Sequence, residues 1–341
     1  MTRKAMVDQP KSIHNDLPLF QRKTLLATTN FPWKAAISKM FNIDLEKLRL
    51  VAFNPWRGCK HNCSYCWVKP LIKRNKSIKP DGDFLNVELC SNVLERLAVE
   101  LPKLSKSTVI IASTLTDIFQ PGLFHSLALS KLFKEWVQAL HGYKVLFITK
   151  NSDVMLYYNI FDKENHVIGF TLTGLENSNP HKKDYEQSAS GHLSRIIATH
   201  ITLKEGFRAV FISLEPYFID PCDIIKDFIS RTNIDLSKFF FTIGTCNYSL
   251  SDLWSKEDYF RFYDETLFLR ARHNLNLWWK DDAEKKIKNW LAQKQHIIFC
   301  KDCPEWLTPK DYGNAALGCC MLSGVNTLAD HFCETKEYQE Q

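Results

Sequence analysis

The sequence predicts an α/β fold, a partial or near-complete (β/α) barrel. From about residue 50, seven short apolar runs rich in β-branched and aromatic residues alternate with longer amphipathic segments. Such alternation is typical of βαβ units that build a parallel sheet. The chain has 341 residues, a length that α/β barrels often occupy as one unit.

The individual elements follow from the period of the apolar residues. The apolar runs predict strands at Leu48–Phe53, Thr108–Ser113, Lys144–Thr149, His166–Thr173, Phe207–Leu214, Lys238–Gly244 and Asn274–Trp279. The amphipathic segments predict helices at Asn92–Leu101, Leu127–Leu140, His192–Glu205, Asp223–Arg231 and Ser255–Arg272.

Three regions are expected along the chain. Residues 1–49 contain Pro10, Pro18 and Pro32 without sustained periodicity, which predicts an irregular N-terminal arm with one helix around 33–48. Residues 50–282 form the predicted barrel, and residues 283–341 a cysteine-rich extension. In such barrels the loops that follow the strands hold the active site.

The loop after the first predicted strand contains three cysteines. Cys59, Cys63 and Cys66 have C-x3-C-x2-C spacing, close enough for one loop to wrap a single metal centre. Structural zinc takes four ligands, whereas a [4Fe–4S] cluster held by three cysteines leaves one iron open for a substrate. The spacing therefore favours a catalytic cluster over a zinc knuckle or a surface thiol cluster, which are the alternatives.

Two motifs resemble a known family. The run N-P-W-R-G-C-K-H-N-C-S-Y-C-W at 54–67 is similar to the opening motif of the spore photoproduct lyase-like branch of the radical S-adenosylmethionine (SAM) superfamily. The run T-D-I-F-Q-P at 116–121 resembles a second motif of that branch. The step S-L-E-P at 213–216 is also similar to uncharacterised phage-borne radical SAM proteins. The pattern departs at Asn62, where the branch usually has glycine, and at Trp67, where it usually has tyrosine.

The resemblance implies a radical SAM barrel and its chemistry. One electron from the cluster would cleave SAM to methionine and a 5′-deoxyadenosyl radical, which abstracts hydrogen from the substrate. A low-potential reductant of the flavodoxin or ferredoxin type would supply that electron. The departures leave the substrate open, and the protein would contribute orientation and exclusion of water.

Polar residues at the strand ends are the predicted SAM contacts. Thr116 and Asp117 suit the SAM ammonium, although Asp117 also suits a helix cap. Thr171 and Thr173 alternate on one strand and so share a face. These hydroxyls suit ribose or carboxylate groups of SAM. The remaining candidates are Lys150 and Glu215, and Arg195, which is equally consistent with a solvated helix face.

Cys246 directly follows the sixth predicted strand. In the family that this chain resembles, a thiol in the barrel returns a hydrogen atom to the substrate radical. Cys246 is therefore a hypothesis for that donor. The alternative is a small buried hydrophobic residue, the usual state of a free cysteine.

The C-terminal extension has a second group of cysteines. The spacing of Cys300, Cys303, Cys319, Cys320 and Cys333 is that of a zinc ribbon or an auxiliary iron–sulfur cluster. Unligated reduced thiols are the alternative. This extension lies outside the resemblance.

Charge indicates the class of partner. Lys and Arg exceed Asp and Glu by 44 to 38, a net charge of +6, which is compatible with an anionic substrate or nucleic acid. The basic run Lys69, Lys73, Arg74, Lys76 and Lys79 follows the cysteine loop and would contact phosphates or form a solvated loop. A second function class is thus a metal-stabilised nucleic-acid-binding protein without radical catalysis.

The location is expected to be cytoplasmic. The first residues have no apolar signal-peptide core, and no stretch approaches the apolar length of a membrane span. Eleven cysteines in a chain of this size favour metal or redox chemistry over disulfides.

Overall fold

The computed structural model describes residues 17–112, 114–122, 126–231, 235–246, 250 and 252–293, and five short strands between residues 298 and 333. The chain divides into two compact units that interleave in sequence. The first comprises Met1–Asn30, Glu46–Phe170 and Glu176–Arg208, and the second Phe31–Leu45, Thr171–Leu175 and Ala209–Gln341. The predicted division into 1–49, 50–282 and 283–341 stays a prediction.

The elements alternate as the sequence predicts. The strands are β1 (Leu19–Phe20), β2 (Leu26–Thr28), β3 (Arg49–Phe53), β4 (Trp56–Arg57), β5 (Glu88–Cys90), β6 (Thr108–Ala112), β7 (Lys144–Thr149), β8 (His166–Thr171), β9 (Val210–Leu214), β10 (Phe239–Ile243), β11 (Asn276–Trp279), β12 (Ile298–Phe299), β13 (Trp306–Leu307), β14 (Gly318–Cys320), β15 (Val325–Thr327) and β16 (Phe332–Cys333). The helices are α1 (Lys34–Phe41), α2 (Val68–Arg74), α3 (Val93–Glu100), α4 (Leu127–Ala139), α5 (Lys182–Tyr185), α6 (His192–Lys204), α7 (Pro221–Ser230), α8 (Lys256–His273) and α9 (Asp281–Gln293), with a 3₁₀ helix over Ser152–Ile160.

The first unit contains a sheet in which β3, β6, β7 and β8 are parallel neighbours and β2 pairs antiparallel with β3. Every residue of β6 and β8 is buried. Strands buried on both faces read as continuous apolar runs, which is why their sequences show no alternation. Phe53 is in register with Ala112, so the loops after β3 and β6 begin side by side.

A small second sheet lies in the same unit. Its strand order is β1-β5-β4, with β1 parallel and β4 antiparallel to β5. The short strand β4 leads directly into the cysteine loop, and α2 begins directly after that loop. Sequence period could not predict β1, β4 or α2, because two to seven residues are too few to establish one.

The second unit contains the parallel strands β9, β10 and β11. Leu214, Ile243 and Trp279 are in register at their carboxyl ends. The residues that follow them, Glu215 and Lys280 among others, therefore lie at one edge. Helix α8 begins with a capping box between Ser255 and Asp258, which satisfies backbone donors at its first turn.

The predicted elements agree with the observed ones in most places. The seven predicted strands correspond to β3, β6, β7, β8, β9, β10 and β11, and their carboxyl ends agree within two residues. The predicted helix around 33–48 is too long, since α1 ends where Asn42 adopts a left-handed conformation with φ 50°. Helix α9 crosses the predicted boundary at 282/283.

The described strands of the C-terminal extension form three antiparallel pairings, β12 with β16 and β14 with both β13 and β15. Cys319 and Cys320 lie in β14 and Cys333 in β16. Cys300 and Cys303, and the side chains of the other three, lie outside the described residues. The C-terminal metal site therefore stays a prediction. No helix within the described ranges is both long and apolar enough to cross a bilayer.

Candidate active site

The cysteine loop begins at a position that only glycine fits. Gly58 has φ +82°, and a Cβ there would lie 2.8 Å from the carbonyl oxygens of Phe84 and Asn86. The backbone N–H of Cys59 donates to the Phe84 oxygen at 2.7 Å. This close approach places the first cysteine against the segment that precedes β5.

The two motifs form one structure around the first cysteine. The Gln120 amide donates to the Gly58 oxygen at 3.1 Å and accepts from the Lys60 N–H at 2.8 Å, so it brackets Cys59 on both sides. The Asn54 side chain likewise accepts from the Leu115 N–H at 2.8 Å. Gln120 and Asn54 were not predicted to have a role, although each belongs to one of the two motifs.

The departure from the family pattern at Asn62 has a conformational explanation. Asn62 has φ 51°, a left-handed conformation that glycine adopts freely and that asparagine tolerates best among other residues. Its side chain accepts from Lys69 Nζ at 2.9 Å and donates to Gln187 at 2.7 Å. Asparagine therefore preserves the turn that glycine would make.

The three thiols of the loop are free, and two are buried. Cys59 is 7% exposed and Cys63 6%, and Cys66 is half-buried. Cys59 packs in an apolar cluster with Val68, Ile72 and Phe84, with Cys66 against it. Burial raises the pKa of Cys59 and of Cys63, so neither thiol ionises readily without a cation.

These residues fit an iron–sulfur cluster. Buried thiols in an apolar shell become thiolates when a metal binds, and the shell excludes water from the cluster. For Cys63 the ammonium of Lys150 is the largest influence that opposes burial. The Nζ atom of Lys150 lies 5.3 Å from the centre of the Tyr65 ring, within the same loop. The protein therefore already supplies a positive charge that favours the thiolate form of Cys63.

Asp117 is held by the protein on both carboxylate oxygens. Oδ1 accepts from the Phe119 N–H at 2.8 Å, and Oδ2 accepts from the Thr149 hydroxyl at 2.9 Å and the Lys150 N–H at 2.8 Å. His61 Nε2 lies 2.9 Å from Oδ2. Burial acts to raise the pKa of Asp117, but His61 and these donors hold it below its ordinary value.

Asp117 closes a local turn on the Phe119 N–H and does not cap α4, whose N-cap position is Ser126. Its contact with the SAM ammonium stays a prediction. Thr116 is different, because its hydroxyl is buried and has no hydrogen-bond partner among the described residues. An unsatisfied buried hydroxyl calls for an explanation, and an absent ligand is one.

A buried ionic network, formed by Glu186 and Arg195, contacts the cysteine loop through Tyr65. Glu186 and Arg195 are both 0% exposed and form an ion pair, and the Tyr65 hydroxyl donates to the other carboxylate oxygen of Glu186. Arg195 Nε also donates to the Ser190 oxygen at 2.8 Å. Burial opposes ionisation of Glu186, but Arg195 and then Lys150 outweigh it and lower its pKa to about 2.

This network excludes one of the two alternatives for Arg195 and adds a residue that the sequence did not indicate. Arg195 does not lie on a solvated helix face, because α6 turns it inward. Glu186 directly follows α5 and belongs to no motif, so no sequence signal indicated it. The Ser64 N–H donates to the Tyr185 oxygen at 3.1 Å and joins the same segment to the cysteine loop.

The second unit holds the remaining predicted residues. Glu215 and Lys280 form an ion pair at the ends of β9 and β11, and each is less than one-sixth exposed. A Cβ at Gly244 would lie 2.5 Å from the Glu215 carboxylate, so this glycine makes room for it. Thr171 is 6% exposed and Thr173 is 0% exposed.

Cys246 belongs to the second unit as well and is 1% exposed. Its Sγ lies 3.7 Å from the Tyr217 oxygen, and its N–H donates to the Tyr259 hydroxyl at 2.9 Å. Burial raises its pKa to about 11, which keeps the thiol protonated. A protonated thiol is the form that a hydrogen-atom donor needs, and the donor role stays a prediction.

The basic run after the cysteine loop is less extensive than the sequence suggested. Lys73, Arg74 and Lys76 are exposed, but Lys79 is 0% exposed. Lys79 Nζ lies 2.6 Å from Glu88 and 2.8 Å from Asp81. Lys79 therefore forms buried ion pairs with these carboxylates and does not belong to the basic surface.

Solved structures share this architecture. A cysteine-to-alanine mutant of spore photoproduct lyase is 11% identical, with a TM-score of 0.51 over 76% of this chain and 87% of that one. The fold is that of spore photoproduct lyase. The enzyme complexed with dinucleoside spore photoproduct is 12% identical, with a TM-score of 0.50 over the same shares, 76% and 87%.

A further structure of that lyase, a double mutant with AdoMet and dinucleoside spore photoproduct bound, is 14% identical. It aligns over 62% of this chain and 60% of its own length, with a TM-score of 0.45. No protein-family model matches the sequence, and no curated protein matches it. The predicted radical SAM type of α/β fold is thus confirmed by structures of spore photoproduct lyase. The sequence identity between this chain and those structures is low, at 11–14%.

Proposed function

We propose that this protein is a radical SAM enzyme. The observation that carries the proposal is the cysteine loop, in which Cys59 and Cys63 are buried and Gln120 fixes the loop on both sides of Cys59. The donor set, three thiols without a fourth, suits a [4Fe–4S] cluster with one open iron. The shared fold of spore photoproduct lyase supports the same chemistry.

The chain's own residues would prepare the site for the cofactors. Cys59, Cys63 and Cys66 would hold the cluster, and the ammonium of Lys150 would offset the charge of their thiolates. The unpartnered hydroxyl of Thr116 would bind SAM. When bound, the cluster would supply the electron for reductive cleavage of SAM to a 5′-deoxyadenosyl radical, which abstracts hydrogen from the substrate.

The substrate that we propose is a nucleic acid base or a nucleotide, and the reductant a low-potential flavodoxin or ferredoxin. The net charge of +6 supports an anionic substrate. Three exposed basic residues add to this support. They lie on α2 or just after it, in the segment that follows the cysteine loop in sequence: Lys73, Arg74 and Lys76. A basic surface makes binding of phosphates salt-dependent.

Analysis of iron and acid-labile sulfide on anaerobically purified protein tests the proposal. For the loop cluster we expect about four of each per chain, and 5′-deoxyadenosine on reduction in the presence of SAM. Cys63→Ala should lose the iron of the loop cluster and the formation of 5′-deoxyadenosine. Cys90→Ala is the matched control, since Cys90 is also buried in the first unit but donates to Asn92 at 3.2 Å and lies outside the loop.

Two results would contradict the proposal. One is a Cys63→Ala protein that retains iron and turnover. The other is a wild-type protein that holds zinc and no iron at the loop, which would favour a metal-stabilised nucleic-acid-binding protein.

A further inference from the structure

The small sheet of the first unit has a face that combines two arginines and an aromatic ring. Phe20 is in register with Cys90, and Arg57 with Glu88. Because Glu88 and Cys90 are two residues apart on β5, Phe20 and Arg57 share one face of the sheet. Arg22 lies two residues after Phe20, beyond the end of β1, and its guanidinium contacts the same Phe20 ring.

The two guanidinium groups meet at one ring. The guanidinium carbon of Arg57 lies 4.0 Å from the centre of the Phe20 ring, and that of Arg22 lies 5.2 Å from the same point. Both side chains are half-buried. Two like charges on a single ring repel each other, so the arrangement is costly unless an anion compensates it.

The protein supplies too little negative charge here. Glu88 is the carboxylate that approaches Arg57, at 3.6 Å, and Lys79 holds the same carboxylate more closely, at 2.6 Å. Among the described residues Arg22 has no carboxylate partner. The Nε atoms of Arg22 and Arg57 are buried and have no hydrogen-bond partner in the described part of the chain.

We propose that Phe20, Arg22 and Arg57 form a binding site for a phosphate group. Guanidinium groups donate two parallel hydrogen bonds to an oxyanion, and a tetrahedral phosphate can accept from two arginines at once. The Phe20 ring holds both groups in place by cation–π contact. The phosphate belongs to a nucleic acid backbone or to a free nucleotide.

Binding measured on the full-length protein tests this site without reference to turnover. The probes are a fluorescein-labelled single-stranded oligonucleotide, 5′-AMP and inorganic phosphate. The variant is Arg22→Gln, which removes the charge and keeps a polar, unbranched side chain. Lys23→Gln is the matched control, because it removes the same charge from the adjacent, exposed residue.

We expect Arg22→Gln to weaken binding about tenfold, the scale of a lost charge-assisted hydrogen bond, while Lys23→Gln changes it less than about twofold. Arg22→Lys should fall between them, because an ammonium lacks the guanidinium fork. A salt dependence of oligonucleotide binding whose slope falls by about 0.7 in Arg22→Gln would identify the backbone as the source. Equal affinity for 5′-AMP and the oligonucleotide would identify a nucleotide.

Equal losses in Arg22→Gln and Lys23→Gln would overturn the site, since only general charge would then matter. Absence of binding of all three probes by the wild-type protein would also overturn it. Thermal unfolding of each variant verifies that the fold is retained. Neither result bears on iron content or SAM cleavage, so failure here is distinct from failure of the proposed function.

Discussion

Replacement of Arg195 by methionine tests whether the buried ionic network supports the cysteine loop. Arg195 and Glu186 are both fully buried, and the Tyr65 hydroxyl donates to the same carboxylate. Methionine fills the space of the arginine side chain but leaves the Glu186 carboxylate without its closest cation. The hydrogen bond from Arg195 to the Ser190 oxygen is lost as well.

The expected cost is large. Removal of one partner from a buried ion pair destabilises proteins by about 3–5 kcal/mol, because the remaining charge stays buried without compensation. Lys150 also acts on Glu186 and offsets part of this cost, which places the expectation near the lower end, about 3 kcal/mol. Since Tyr65 lies between two cysteines of the loop, we also expect less iron per chain.

The measurement is the free energy of unfolding in urea, followed by circular dichroism. The control is Arg231→Met, which breaks an exposed pair with Asp227 whose side chains are 50% and 38% exposed. Exposed pairs contribute about 0–1 kcal/mol. Equal losses in the two variants would refute the argument, and so would a normal iron content in a destabilised Arg195→Met protein.

Three further outcomes follow from single residues. Gly58→Ala should lower the iron content strongly, because of both the positive φ of Gly58 and the close contacts that a Cβ would make. Gly142→Ala is the control: Gly142 has φ +81° and nothing within 4 Å of a Cβ, so only about 1 kcal/mol of backbone strain is expected. Equal effects of the two substitutions on iron content would contradict the argument. Burial lowers the pKa of His166 to about 4 from 6.5, so stability should fall as pH drops from 6.5 to 4 in urea titrations. This slope should be shallower in His166→Gln, and an unchanged slope would contradict the argument. Cys246→Ala should alter the product distribution, and an unchanged one would exclude it as hydrogen donor.

The fold was predictable because its signal is local. Apolar runs such as Val109–Ala112 and the amphipathic period of α6 are properties of the chain itself, and the strand order then follows from short connections. The helix around 33–48 was predicted too long because the left-handed Asn42 that ends α1 has no strong sequence marker.

The candidate site was predictable only in part. The spacing of Cys59, Cys63 and Cys66 indicated the cluster ligands, and the pattern at 116–121 indicated a neighbouring turn. Their connection through Gln120 was not visible, because contacts across 62 residues leave no trace in one sequence. The same holds for Glu186, which reaches Tyr65 from 121 positions away.

The sequence by itself determined the α/β class, the three thiols on one loop and the excess of positive charge, since all three are local or compositional. Only the tertiary structure decided which charged residues are buried. It turned Arg195 and Lys79 inward to paired carboxylates and, within the described part of the chain, left Arg22 beside Arg57 without a carboxylate partner. The reason is physical: the environment of a charge depends on groups brought together by folding, and these lie far apart along the chain.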